Sequence, residues 1–184
     1  KALPEYALEE NPLCSFLCDA YKKYTGADIV YNNGGTMRAS VYKGPITDAQ
    51  IKDLMPYFNE VSVYKFSEKE IIETLNNAIA ATKKYNRTGA LQVAGIQYTI
   101  GKDDKVKDVY FVKDDGTKEK IDANNPRADK FYTVAYNSFL FGGSEGLANL
   151  HAPEKKIAQA DKNETEMLIE YIKSFNGKPI TIQK

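Results

Sequence analysis

Apolar residues at Leu13, Phe16, Leu17, Ala20, Tyr21 and Tyr24 recur at i, i+3, i+4, i+7, i+8 and i+11, which is the stripe of one helix face. Asn11 stands before the stripe as an N-cap, Pro12 takes the first helical position, and Gly26 ends the helix. A second helix opens on the capping box Thr47-Asp48-Ala49-Gln50, carries Ile51, Leu54 and Met55, and is stopped by Pro56. Ser67-Glu68-Lys69-Glu70 caps a third, with Ile71, Leu75, Ala78, Ile79 and Thr82 on its face. The fourth starts at Asn163 with Glu166 three residues on, buries Leu168, Tyr171, Ile172 and Phe175, and stops at Gly177. Strand-like stretches lie between: 27–31, which runs into Asn32-Asn33-Gly34-Gly35; 60–66, rich in β-branched and aromatic residues; 91–100 and 106–112, flanking the turn Gly101-Lys102-Asp103-Asp104; 118–121; and 179–183. A longer apolar segment, 131–141, enters Gly142-Gly143. Strands joined mostly by hairpins, with helices at irregular intervals, predict an α+β fold with a largely antiparallel sheet.

Composition sets what such a fold can do. Of 184 residues 42% are hydrophobic and 27% charged, a composition that folds, and at ~150 residues per domain the length predicts a single domain over 1–184. No apolar run approaches the ~20 residues that cross a bilayer. No charged-then-apolar leader opens the chain, whose abrupt start at Lys1 is that of a mature or trimmed chain. Twenty-five basic and 25 acidic side chains cancel, which argues against a nucleic-acid face. Two cysteines and one histidine exclude most metal-centred chemistry, so no metal site is expected in this chain. Cys14 and Cys18 share a helix face with poor disulfide geometry and read as small buried apolar residues. His151, near Pro153 in a loop-like stretch, reads as a surface or supporting group.

Three turns could carry chemistry. In Asn33-Gly34-Gly35-Thr36-Met37-Arg38 the glycines alone signal a tight turn, but Arg38 is one of only three arginines and offers a rigid fork matched to phosphate or vicinal hydroxyls. In Phe139-Leu140-Phe141-Gly142-Gly143-Ser144-Glu145-Gly146 aromatics lead into glycines and an acid. Pro56-Tyr57-Phe58-Asn59 places adjacent rings at a helix–strand junction. Core packing accounts for such rings. Rings on loops that converge with an arginine and an acid also suit a planar ligand stacked between them.

The order of Asn-Gly-Gly-x-x-Arg (33–38), Gly44-Pro45-Ile46-Thr47, Pro56-Tyr57-Phe58-Asn59, Leu91-Gln92-Val93-Ala94-Gly95, and Asn137-Ser138-Phe139-Leu140 with its glycine turn resembles the C-terminal domain of the 5′-nucleotidase and UDP-sugar hydrolase family. The resemblance covers roughly residues 10–146. It implies a layered α/β sandwich that serves as the substrate-specificity half of a phosphoester hydrolase. A separate N-terminal metallophosphoesterase domain, in the same or another chain, then holds two divalent metals and performs the hydrolysis, so this chain alone is expected to be inactive. The implied ligand is a nucleoside 5′-monophosphate or related nucleotide, and the implied location is extracytoplasmic: periplasmic, cell-surface or secreted.

By position, the resemblance makes Tyr57 and Phe139 the rings around the base, Asn33 a contact to the base edge, Arg38 a contact to ribose or phosphate, and Glu145 the acceptor for ribose hydroxyls. Gly34, Gly35 and Gly95 then leave room for backbone to come close. Two departures stand out: Ala7 occupies the arginine position of the family's Arg-x-x-Glu pattern ending at Glu10, and Glu145 replaces an aspartate. They leave open a free-standing or degenerate binding or interaction module of the same fold. A metal-free acid–base enzyme using Glu145 is a third reading, for which the sequence supplies no second catalytic group.

Overall fold

The computed structural model describes residues 10–85 and 91–182, without the side chains of Tyr85 and Glu145. The predicted helices form where their caps lie. Helix α1 (Pro12–Thr25) starts under Asn11, whose side chain accepts from the Leu13 and Cys14 amides, and ends at Gly26 with φ 67°. The capping boxes at Thr47 and Asn163 start α2 (Asp48–Leu54) and α5 (Glu164–Lys173). Ser67 and Glu70 exchange backbone and side-chain bonds at the head of α3 (Glu68–Tyr85). Helix α5 ends at Ser174, short of the predicted Gly177.

Two sheets form. The larger has the order β3-β1-β7-β2-β8, from β1 (Ile29–Asn33), β2 (Glu60–Ser67), β3 (Leu91–Ala94), β7 (Phe131–Asn137) and β8 (Lys156–Asn163). Among the described residues only β1 and β7 pair in parallel; the other ladders are antiparallel. The smaller sheet is β4 (Ile96–Ile100), β5 (Val106–Val112) and β6 (Lys118–Ile121), all antiparallel.

Alternation along the central strands builds two cores. Ile29, Tyr31, Tyr64, Phe66, Val134 and Tyr136 face α3 and the small sheet, where Tyr64 stacks on Tyr136 with ring centroids 4.1 Å apart. Val30, Val61, Val63 and Ala135 face α1, α2 and α5, where Cys14 and Cys18 are buried as free thiols. The chain is thus layered, with helices on one face and a helix plus a second sheet on the other.

Four stretches depart from the sequence prediction. The run 91–100 is two strands broken at Gly95, the run 131–141 is β7 followed by the short helix α4 (Ser138–Phe141), and β8 went unpredicted. The described part of the predicted last strand, 179–182, carries no strand.

Candidate functional site

The parallel β1–β7 pair brings the C-terminal ends of both strands to one edge of the sheet, and antiparallel pairing brings the start of β2 and the end of β8 there too. The registers are Val61 opposite Asn137 and Glu60 opposite Asn163. Four segments therefore converge: the turn after β1 that leads to Arg38, loop 56–59 before β2, α4 after β7, and the head of α5.

On this edge Tyr57, Phe58 and Phe139 are 55%, 46% and 41% exposed, too open for core rings. Phe58 has φ 52°, a left-handed conformation that costs a non-glycine residue about 1–2 kcal/mol. The two ring-bearing segments are joined by a hydrogen bond from Ser138 Oγ to Asn59 Oδ1 at 3.4 Å. Arg38 is exposed; its guanidinium reaches the Gly35 carbonyl at 3.5 Å, and its backbone N–H donates to the Leu54 carbonyl at 2.8 Å, just ahead of Pro56.

Beneath the rings lies a buried polar network. Glu164, fully buried, accepts from Tyr21 Oη (2.6 Å), Asn59 Nδ2 (2.8 Å) and Asn137 Nδ2 (3.1 Å). Asn137 also donates to Asn33 Oδ1 at 3.3 Å and caps α4 by accepting from the Leu140 amide at 3.0 Å. Burial pushes the Glu164 carboxyl above the ordinary carboxylate range, while hydrogen bonds from Tyr21, Asn137 and Asn59 pull it back. Burial, with Glu164 alongside, pushes the Tyr21 phenol well up.

The structure thus gathers Asn33, Gly34, Gly35, Arg38, Tyr57 and Phe139 at one sheet edge. Asn33 is buried and bound into the network, and Gly34 and Gly35 form a 3-10 turn with ordinary φ, not a left-handed one. Glu145 has its backbone in the 3-10 turn Ser144–Gly146, which Gly143 enters with φ 72°; its side chain, like Ala7, lies outside the described residues.

Gly95 is elsewhere. Val30 pairs with Ala94 and Asn33 with Leu91, so Gly95 sits toward the opposite end of β1, where a cavity of about 750 Å³ is lined by Glu10, Asp19, Gly95 and Tyr98. The close approach there is internal: a Cβ on Gly95 would meet the Asp28 carbonyl oxygen at 1.9 Å. His151 supports α4, its Nδ1 lying 3.0 Å from the Phe141 carbonyl.

Sequence reasoning missed Glu164 and Asn137 beneath the rings, and Tyr21 as the α1 donor to Glu164. Glu164, an acid in the first turn of α5 beside the Asn163–Glu166 capping box, reads as helix chemistry alone. Among the described residues no group of three or more His, Cys, Asp or Glu could hold a metal ion. No described helix is long and apolar enough to cross a membrane.

The described residues thus form a layered α+β domain with exposed rings and an arginine on converging loops. The chain belongs to the family of 5′-nucleotidase C-terminal domains, whose model, "5′-nucleotidase, C-terminal domain", matches residues 2–152 and so ends before β8 and α5. It is 30% identical over 96% of its length to a cell wall protein of Listeria monocytogenes, Lmo0130, of which it spans 23%. It is 33% identical over 76% of its length to the trifunctional nucleotide phosphoesterase protein YfkN of Bacillus subtilis, of which it spans 10%. The fold matches the crystal structure of a 5′-nucleotidase precursor from Thermus thermophilus with TM-score 0.78 and 22% identity, over 97% of this chain and 37% of that one. The chain thus spans about a quarter or less of these two relatives' length.

Proposed function

We propose that this chain is the nucleotide-binding specificity domain of a 5′-nucleotidase-type hydrolase acting outside the cytoplasm. The base stacks between Tyr57 and Phe139, Arg38 faces ribose or phosphate, and Glu145 accepts from ribose hydroxyls. The phosphate is presented to two metals on a separate metallophosphoesterase domain, and this chain alone is inactive. The observation that carries the reading is the pair of exposed rings on two segments hydrogen-bonded to one another at the edge where Arg38 emerges.

Magnitudes favour weak binding by the domain alone. Stacking contributes ~1–3 kcal/mol per face and charge-assisted hydrogen bonds ~1.5–3 kcal/mol, against several kcal/mol of association cost. The remainder corresponds to high-micromolar to millimolar dissociation constants.

Titration calorimetry with adenosine 5′-monophosphate tests this. Tyr57→Ala and Phe139→Ala should each abolish measurable binding; unchanged affinity in both variants refutes the stacking site. Ala7 at the family's arginine position favours a second reading, a degenerate module of the same fold. That module would bind no nucleotide even before mutation.

A further inference from the structure

We propose that Glu164 is a positioning residue of the ring site, its one carboxylate fixing both aromatic segments from beneath. Oε1 accepts from Asn59 Nδ2 at 2.8 Å, with the Asn59 backbone N–H more distant at 3.4 Å, and the Glu164 backbone N–H donates to the Asn59 carbonyl at 3.0 Å. Asn59 is thereby held on three sides, two residues after Tyr57 and next to Phe58. The left-handed φ at Phe58 persists only where the surroundings over-determine the turn, and these bonds supply that restraint. Oε2 accepts from Asn137 Nδ2, and Asn137 caps the helix that carries Phe139.

The chemistry demands a carboxylate. The side-chain partners of Glu164 are Tyr21, Asn59 and Asn137, and only an acceptor-only group satisfies donors on both of its ends. In a glutamine, the NH2 placed at Oε2 would face the Asn137 amide, which cannot flip because its Oδ1 caps Leu140. Placed at Oε1 it would face the Asn59 backbone N–H, which cannot turn away. A residue that only filled space here would be apolar, since burying a carboxylate is costly.

This inference rests on Tyr57 and Phe139 being the base-binding rings. Its test uses the 184-residue chain titrated by NMR with adenosine 5′-monophosphate and with ribose 5-phosphate, which lacks the base. Glu164→Gln should weaken the nucleotide about tenfold, the worth of a partly lost stack, and leave ribose 5-phosphate within about twofold. Asn137→Ser keeps the α4 cap but removes the donor to Glu164, so it should act in the same direction and decides the matter if Glu164→Gln does not fold. Tyr21→Phe removes the α1 donor and touches neither aromatic segment. It should lower stability while leaving nucleotide affinity within about twofold.

Wild-type affinity in the folded Glu164→Gln or Asn137→Ser chain overturns the proposal. So does equal weakening of both ligands, or a loss of affinity in Tyr21→Phe that tracks stability. If Tyr57→Ala and Phe139→Ala leave the nucleotide bound, the stacking site itself falls. If they abolish binding while Glu164→Gln and Asn137→Ser do not, only the positioning role falls.

Discussion

At the scale of single residues the tightest constraint is Gly95. It has φ 75° and leaves no room for a side-chain carbon against the Asp28 carbonyl. Gly95→Ala combines a left-handed alanine with overpacking against backbone, and urea unfolding should show a loss of about 3 kcal/mol. The cysteines give a second expectation. Burial pushes the Cys14 thiol up to about 12 and the Cys18 thiol well up. Both should therefore resist a thiol-specific reagent at neutral pH in the folded chain and react once denaturant is added.

Which candidate residues the sequence could offer depended on distance along the chain. Tyr57, Phe139 and Arg38 lie in compact motifs and stand out as candidates. Glu164 was not, because its side-chain partners Tyr21, Asn59 and Asn137 lie 143, 105 and 27 residues away. An acid in the first turn of a helix is already explained by the helix dipole, so nothing local hints at a second duty.

Among the elements, helices were legible because their caps are local. Asn11, Thr47, Ser67 and Asn163 each satisfy amides within three residues. Replacing the Asn11 cap by alanine should cost about 1 kcal/mol in thermal or urea unfolding, with little change in the spectrum of the remote small sheet. Strand β8 escaped because it is an edge strand whose Lys156, Gln159 and Asp161 are exposed, so no hydrophobic alternation marks it. The apolar run 131–141 hid a boundary that only Asn137 reveals: it ends a strand and caps a helix in one side chain. At 179–182, apolar content alone suggested a strand, but among the described residues no strand pairs with this stretch.

For the whole molecule, acid sensitivity follows from its paired carboxylates. Burial alone would raise Glu68, but hydrogen bonds from Arg127, with Lys130 nearby, hold it below the ordinary range. Burial likewise opposes, and Lys155 and Ser67 outweigh, at Glu70; Lys130 leads the lowering at Glu119. A carboxyl lowered in the folded state stabilises above its unfolded value of ~4.5, and that contribution disappears as pH falls through the folded value. Glu164 has the opposite sign: with its folded value raised, its contribution is full below ~4.5 and is lost as pH rises through the folded value. Asp103 and Asp115 are lowered as well and burial raises Asp19, so among the described residues five lowered carboxyls stand against two raised ones, and the unfolding midpoint should drop as pH falls below ~4.5. Arg127→Ala should flatten that dependence and lower the neutral-pH midpoint, since it leaves the buried Glu68 carboxylate without its fork.

The four segments at the sheet edge span positions 33 to 164 and become neighbours only when β1, β7, β2 and β8 are aligned. No fragment of the chain can assemble that edge early, because its contacts are among the longest-range in the fold. A small molecule held there is therefore coupled to complete folding and not to any one loop. At ten times its dissociation constant it should add about 1.4 kcal/mol to global stability, so a melting curve reports occupancy of the edge as faithfully as a probe placed on the rings.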